Sequence, residues 1–238
     1  MKTRTLITFL IPLSAFTLFL SGNAALHAEP APNTLSAEEK AQGWKLLFDG
    51  KKIEGWRLYD KNTFPTQGWV VEDGTLHKQG GVRGGNIMTV DSYKDFEFSW
   101  DWKMGPEGNN GVKYFIIPQR KGAIGHEYQM VDDAEVKDSI SSNASFYLIV
   151  APKENKPGKA MGEWNRSKII VKGNHVEHWL NGEKVLEYEC GSPAIMEQAS
   201  KTKFKKWPDF GKKFKGHILL TDHKDPCWFR NLKIRVLD

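Results

Sequence analysis

The stretch that most constrains the fold is residues 95–103, where Phe96, Phe98, Trp100 and Trp102 alternate strictly with Glu97, Ser99, Asp101 and Lys103. A period of two puts four bulky aromatic side chains on one side of a strand and polar groups on the other. The aromatic side must then be covered by a second layer. Residues 69–72, 111–117, 127–131, 145–150, 167–171, 175–180, 217–221 and 228–237 read as further short strands. Asp73-Gly74, Asn181-Gly182 and Gly173-Asn174 between them are two-residue hairpin signals, because both central positions of such turns favour left-handed backbone. Short strands with regular turn signals predict an all-β sandwich. One short helix is expected over 193–204, with Ser192 as N-cap and Pro193 at the first helical position.

The N-terminus reads differently. Lys2 and Arg4 precede an apolar run over 6–20, and small residues follow at Ser21, Gly22, Ala24, Ala25 and Ala28. This is the pattern of a secretory signal peptide cleaved after Ala24 or Ala28, too short to span a bilayer. With no cysteine at that exit, no lipid anchor is expected. Residues 29–42 form a polar leader with one helical turn, and a single domain is expected over 43–238. The net charge is +5, and removing Lys2 and Arg4 with no acid leaves +3. Seven lysines lie between Lys201 and Lys215, a run expected to be a solvated loop, the alternative being a cleft rim. No basic stripe interleaved with aromatics suggests nucleic acid. Nine tryptophans and thirteen phenylalanines suit strands and core, and aromatic faces also stack on sugar rings. Cys190 and Cys227 match no zinc spacing, and their pairing depends on a separation the sequence does not show.

Candidate functional residues cluster by strand parity. Glu127 and Gln129 leave the apolar face of their strand together; Asp133 continues that parity, and Asp132 joins it if a bulge intervenes. His178 shares a face with Val176 and Leu180, and His223 follows the strand ending near Thr221. Arg230 falls on the face of Trp228, Leu232, Ile234 and Val236, so its charge needs a carboxylate, for which Asp222 is the candidate, or a ligand oxygen. Asn109-Asn110-Gly111 reads as a loop feeding the strand that carries Lys113, and Gly162-Glu163-Trp164-Asn165 opens another strand with Trp164 beside the amide of Asn165. No serine nucleophile elbow, phosphate-binding glycine loop or zinc signature is present.

GWKLLFDGKKIEGW, WVVEDGTL, NNGVKYF, GHEYQMVDD, GEWN, HVEHWLNG and LLTDHKDPCWFRNLKIR occur in that order from Gly43 to Asp238. In this the chain resembles the 3-keto-disaccharide hydrolase domain family. The resemblance implies a concanavalin A-like jelly-roll of two antiparallel sheets and an oxidised sugar as substrate. Two departures stand out. Asn109-Asn110-Gly111 takes the place of the family's Asn-Ser-Gly, and Thr221-Asp222-His223-Lys224 that of its Gln-Asp-His-Gly. For a 3-keto sugar, the carbonyl acidifies the C2 hydrogen and the glycosidic oxygen lies β to it, so elimination followed by hydration breaks the bond. That chemistry needs a base, an oxyanion stabiliser and an acid. The expected catalytic set is Glu127 or Asp133 as base with His223 and His178 as acid and electrostatic partners. Asn110, Lys113, Gln129, Asp132, Trp164, Asn165, Asp222 and Arg230 are the expected substrate contacts. Arg230, Lys113 or a divalent cation such as calcium would hold the oxyanion. Two other readings stay open. One is a non-catalytic carbohydrate-binding module; the other is a two-carboxylate glycosidase using Glu127 and Asp132.

Overall fold

The computed structural model describes residues 31–237; the apolar N-terminal stretch read as an export signal lies outside them. The strands in chain order are β1 (Lys45–Leu46), β2 (Trp56–Leu58), β3 (Trp69–Glu72), β4 (Thr75–Lys78), β5 (Ile87–Thr89), β6 (Phe96–Met104), β7 (Asn109–Ile116), β8 (His126–Val131), β9 (Asn165–Lys172), β10 (His175–Leu180), β11 (Glu183–Glu189), β12 (His217–Leu220) and β13 (Cys227–Val236). They form two antiparallel sheets. One runs β11-β10-β9-β6-β13-β4-β3, with β1 also paired to β13; the other runs β2-β5-β12-β7-β8. The architecture is the expected all-β jelly-roll sandwich.

The alternating strand β6 sits centrally, between β9 and β13, and Phe96, Phe98, Trp100 and Trp102 are all buried in the core. The hairpin signals form the β3–β4, β9–β10 and β10–β11 turns, with Asp73, Gly74, Asn181 and Gly182 all at positive φ. Helix α1 (Ala37–Ala41) carries a capping box between Ser36 and Glu39. Helix α2 (Pro193–Ser200) starts behind Ser192 as expected, and a separate 3-10 turn, Lys203–Lys206, follows it. The leader is held on the large sheet's outer face: Asn33 exchanges hydrogen bonds with Asn231, and Glu39 pairs with Lys233.

Residues 145–150 are not a continuous strand. Ala144 and Leu148 adopt left-handed backbone, which leaves isolated bridges from Phe146 to Tyr128 and Val150. The segment still flanks β8, through Gln129 N to Ser145 O and Tyr147 N to Glu127 O. Cys190 and Cys227 are buried and unbridged.

Candidate active site

The outer face of the five-stranded sheet has two unlike halves. Over β5 and β12 the chain at 117–125 folds back, held by the Tyr59 hydroxyl donating to Arg120 O at 2.6 Å. Beneath it Met88, Ile116, Ala123 and Leu219 make a small second core. Over β7 and β8 the face is polar. Strand alternation brings Asn109, Gly111 and Lys113 to it from β7, and Glu127 and Gln129 from β8. The register sets Lys113 opposite Glu127 and Gly111 opposite Gln129. Lys113 Nζ lies 3.6 Å from Glu127 Oε2, and Gln129 Nε2 donates to Asn109 Oδ1 at 3.3 Å. Glycine at 111 makes the room: a Cβ there would stand 2.5 Å from Glu127 Oε1.

Three further segments wall this patch. Tyr147 is tied to β8 through its backbone, and Lys203 lies over its ring, Nζ 4.6 Å from the centroid. The turn after β12 supplies His223 and Asp225, and Asp225 Oδ2 accepts from Asn109 N at 3.2 Å. Burial pushes the His223 pKa below the usual histidine range; Lys113 pushes the same way, and Glu127, Asp225 and Asp222 oppose. The residue as a whole is nonetheless exposed. His223 is therefore a neutral imidazole at pH 7, with Glu127 placed to stabilise its cation. Burial, then Glu127 and Asp138, raises the Tyr147 pKa, so its phenol stays protonated.

Of the expected site residues, Glu127, Gln129, Lys113 and His223 come together here. The others do not. His178 is fully buried between the sheets, Nε2 2.8 Å from the Tyr114 hydroxyl and Nδ1 2.9 Å from Ala144 O. Burial lowers its pKa to about 3, so it is a neutral core residue. Strand β8 ends at Val131, which breaks the parity carrying Asp133 forward. Asp132 instead caps the turn at 133–135, accepting from Ala134 N and Glu107 N. Asp133 accepts from Asn143 N and pairs with Lys156 at 2.9 Å, which anchors the segment leading to Tyr147.

Asn110, expected as a substrate contact, faces inward, because Lys113 sets the outward parity of β7 and leaves Asn109 on the open face. Asn110 Oδ1 accepts from Thr221 Oγ1 at 2.9 Å. Two of the positions departing from the family pattern, 110 and 221, thus touch each other in the interior. Asp222 is a structural anchor: its Oδ1 lies 2.9 Å from buried Lys78 Nζ, and its Oδ2 accepts from Gly84 N and Gly85 N. Asn165 is buried and accepts from Lys159 N and Asn181 Nδ2.

Arg230 and Trp164 stand on the opposite side of the molecule. A bulge at Asn231, which has positive φ, shifts the register of β13, so Phe229 and Leu232 both face the core and Arg230 points outward. Its partner is Asp101, at 3.4 Å, and not Asp222.

Strand parity alone marks Asn109. Tyr147, Lys203 and Asp225 carry no such signal, since only tertiary packing brings them in. Among the described residues, the donors near enough to share one metal ion are His175, Glu177 and Glu187 on the large sheet, where Lys184 already pairs with both glutamates. Among the described residues no such trio forms around Glu127.

Residues 43–235 match the 3-keto-alpha-glucoside-1,2-lyase-like domain family. A 3-keto-disaccharide hydrolase of Bacteroides thetaiotaomicron is 33% identical, the match covering 87% of this chain and 82% of that one. The crystal structure of a candidate glycosyl hydrolase from Parabacteroides distasonis superimposes with a TM-score of 0.79 at 35% identity, covering 87% of this chain and all of the other. A second from the same organism gives 0.65 at 28% identity over 82% of this chain and 99% of that one. Fold, site and relatives together define a carbohydrate-active, glycoside-cleaving enzyme. The chain belongs to the 3-keto-alpha-glucoside-1,2-lyase-like domain family.

Proposed function

We propose that the protein cleaves the glycosidic bond of 3-keto-glycosides by C2 proton abstraction, elimination and hydration. The observation that carries this reading is the pairing of a neutral histidine, His223, with the Lys113–Glu127 ion pair on one partly open sheet face. A neutral imidazole near its working pH is an effective proton acceptor, and the adjacent carboxylate stabilises the imidazolium it becomes. His223 takes the C2 proton; the C–H pair forms an enolate with its charge on O3, and that charge returns to form the C1–C2 double bond as the C1–O bond breaks. The departing oxygen takes the proton from His223. Water then adds across C1–C2, its oxygen to C1 and a proton to C2, which restores a 3-keto sugar. Gln129 and Asn109 are placed to bind hydroxyls. The family membership and the named relative support the oxidised sugar as substrate.

A two-carboxylate glycosidase fits less well, because Asp132, the second acid it would use, is occupied as a backbone cap. The test is to incubate the protein with a 3-keto-disaccharide and with its unoxidised parent, with and without a chelator. Release of the 3-keto sugar from the first alone is expected. Hydrolysis of the parent, or binding of either without turnover, would overturn the reading. The N-terminal pattern supports export, and fractionation of cells making the full chain, with the product mass giving the cleavage point, checks it.

A further inference from the structure

The basic segment at 201–215 is not uniform. Lys201 pairs with Glu197 and Lys213 with Asp95, both away from the site. Lys203 is built in differently. Thr202 caps its 3-10 turn by accepting from Phe204 N at 3.1 Å, and buried Phe204 stacks on Phe210 with ring centroids 3.9 Å apart. That fixes the backbone under Lys203 and aims its ammonium across Tyr147, the residue tied to the Glu127 backbone.

The site holds two cations, and they differ. Lys113 is paired with Glu127 at 3.6 Å. Lys203 has no carboxylate within ion-pairing distance among the described residues, although Glu127 and Lys113 are both near enough to act on it electrostatically. An ammonium beside a polar patch, packed on an aromatic ring and unmatched by an acid, is poised for negative charge that arrives with, or develops on, the substrate. Burial lowers its pKa, with Glu127 opposing and Lys113 reinforcing, as expected for a cation partly withdrawn from water.

We propose that Lys203 is a catalytic residue that holds the C3 oxygen of the substrate as that oxygen becomes an enolate. When the C2–H bond breaks, its electron pair forms the C2–C3 double bond and the carbonyl pair moves onto O3, facing the ammonium. No bond to lysine forms. The charge returns from O3 through C2 as the C1–O bond breaks. This role rests on the reading of the site as one that cleaves 3-keto-glycosides.

The experiment compares the wild-type protein with Lys203→Met and Lys203→Arg on a 3-keto-disaccharide, with thermal unfolding measured on each. The methionine variant is expected to unfold near the wild-type temperature and to lose about 10²–10³-fold in kcat, with KM changed less than threefold, as for the loss of one oxyanion-stabilising group. Arginine, which keeps the charge and the ring contact, is expected to recover at least tenfold of that loss. Wild-type kcat in Lys203→Met, a change in KM alone, or equal loss in both variants would each overturn the assignment. A wild-type protein inactive on the 3-keto-disaccharide would instead overturn the reading of the site itself.

Discussion

The two outer faces of the sandwich both carry charged and aromatic side chains, but they use them in opposite ways. On the large sheet the cations lie over aromatic rings or pair with acids. His77 stacks on Trp228, Lys103 lies between Trp228 and Trp164, and Arg230 covers Trp164 at 4.1 Å. Beneath them Asp101 serves Arg166, Arg230 and Asn231. On the small sheet Glu127 and Lys113 pair, whereas His223 and Lys203 make no hydrogen bond or ion pair among the described residues. Polar composition therefore does not locate a site: among the described residues Lys103 is as free of an acid as Lys203, and the small sheet stands apart by a histidine without a partner beside the Lys113–Glu127 pair.

That contrast can be broken by substitution. The largest effects should fall on the small sheet. Glu127→Gln and His223→Ala should each lower kcat/KM on the 3-keto sugar by about 10²–10⁴-fold, the range for loss of a proton-transfer group, and leave the unfolding temperature nearly unchanged. Asp222→Asn strips a buried partner from Lys78 and should cost about 3–5 kcal/mol of stability in denaturant titration. Gly111→Ala forces the Glu127 carboxylate aside and should cost about 10²-fold in kcat, with little change in the far-UV spectrum. On the large sheet, Arg230→Gln should leave kcat/KM within about twofold and cost roughly 1 kcal/mol of stability, as for one partly exposed pair.

A pH series sharpens the same contrast within the core. Burial holds His178 near pKa 3; burial, then His178 and Arg120, hold His126 near 3 as well. The unfolded chain takes up those protons near 6.5, so between about 6.5 and 3 it binds more protons than the folded one. Stability from these two groups is full above pH 6.5 and falls as pH drops, by up to about 1.4 kcal/mol per pH unit for each. In a Phe replacement of His178 the slope should be shallower, measured by urea unfolding at pH 7 and pH 4.

Much of the fold was legible because β6 and β10 keep a period of two and because Asp73-Gly74 and Asn181-Gly182 suit tight turns. The two- and three-residue strands β1, β2 and β5 were not, since so short a run shows no period. Among site residues, Glu127 and Gln129 followed from alternation, but alternation fails wherever a bulge intervenes. Asn231 reversed the reading of Arg230, and the strand end at Val131 removed Asp132 and Asp133. His178 shows the opposite case, where an apolar parity did mean a core residue. Tyr147 and Lys203 come to this face from segments distant in sequence; nothing local marks Tyr147, and the lysine run around Lys203 does not single it out from its neighbours. The departures at 110 and 221 read in sequence as lost substrate contacts. In space an asparagine and a threonine meet there in a buried hydrogen bond, away from the open face.

The proposed cleavage requires C2 to lose its proton to this face. Cleavage of a 3-keto-disaccharide in D₂O, followed by NMR of the released 3-keto sugar, tests it directly, with unenzymatic exchange of the same sugar as the baseline. Deuterium at C2 in the first product formed, absent when His223→Ala protein replaces the wild type, is the predicted result. Cleavage that leaves hydrogen at C2 would contradict it.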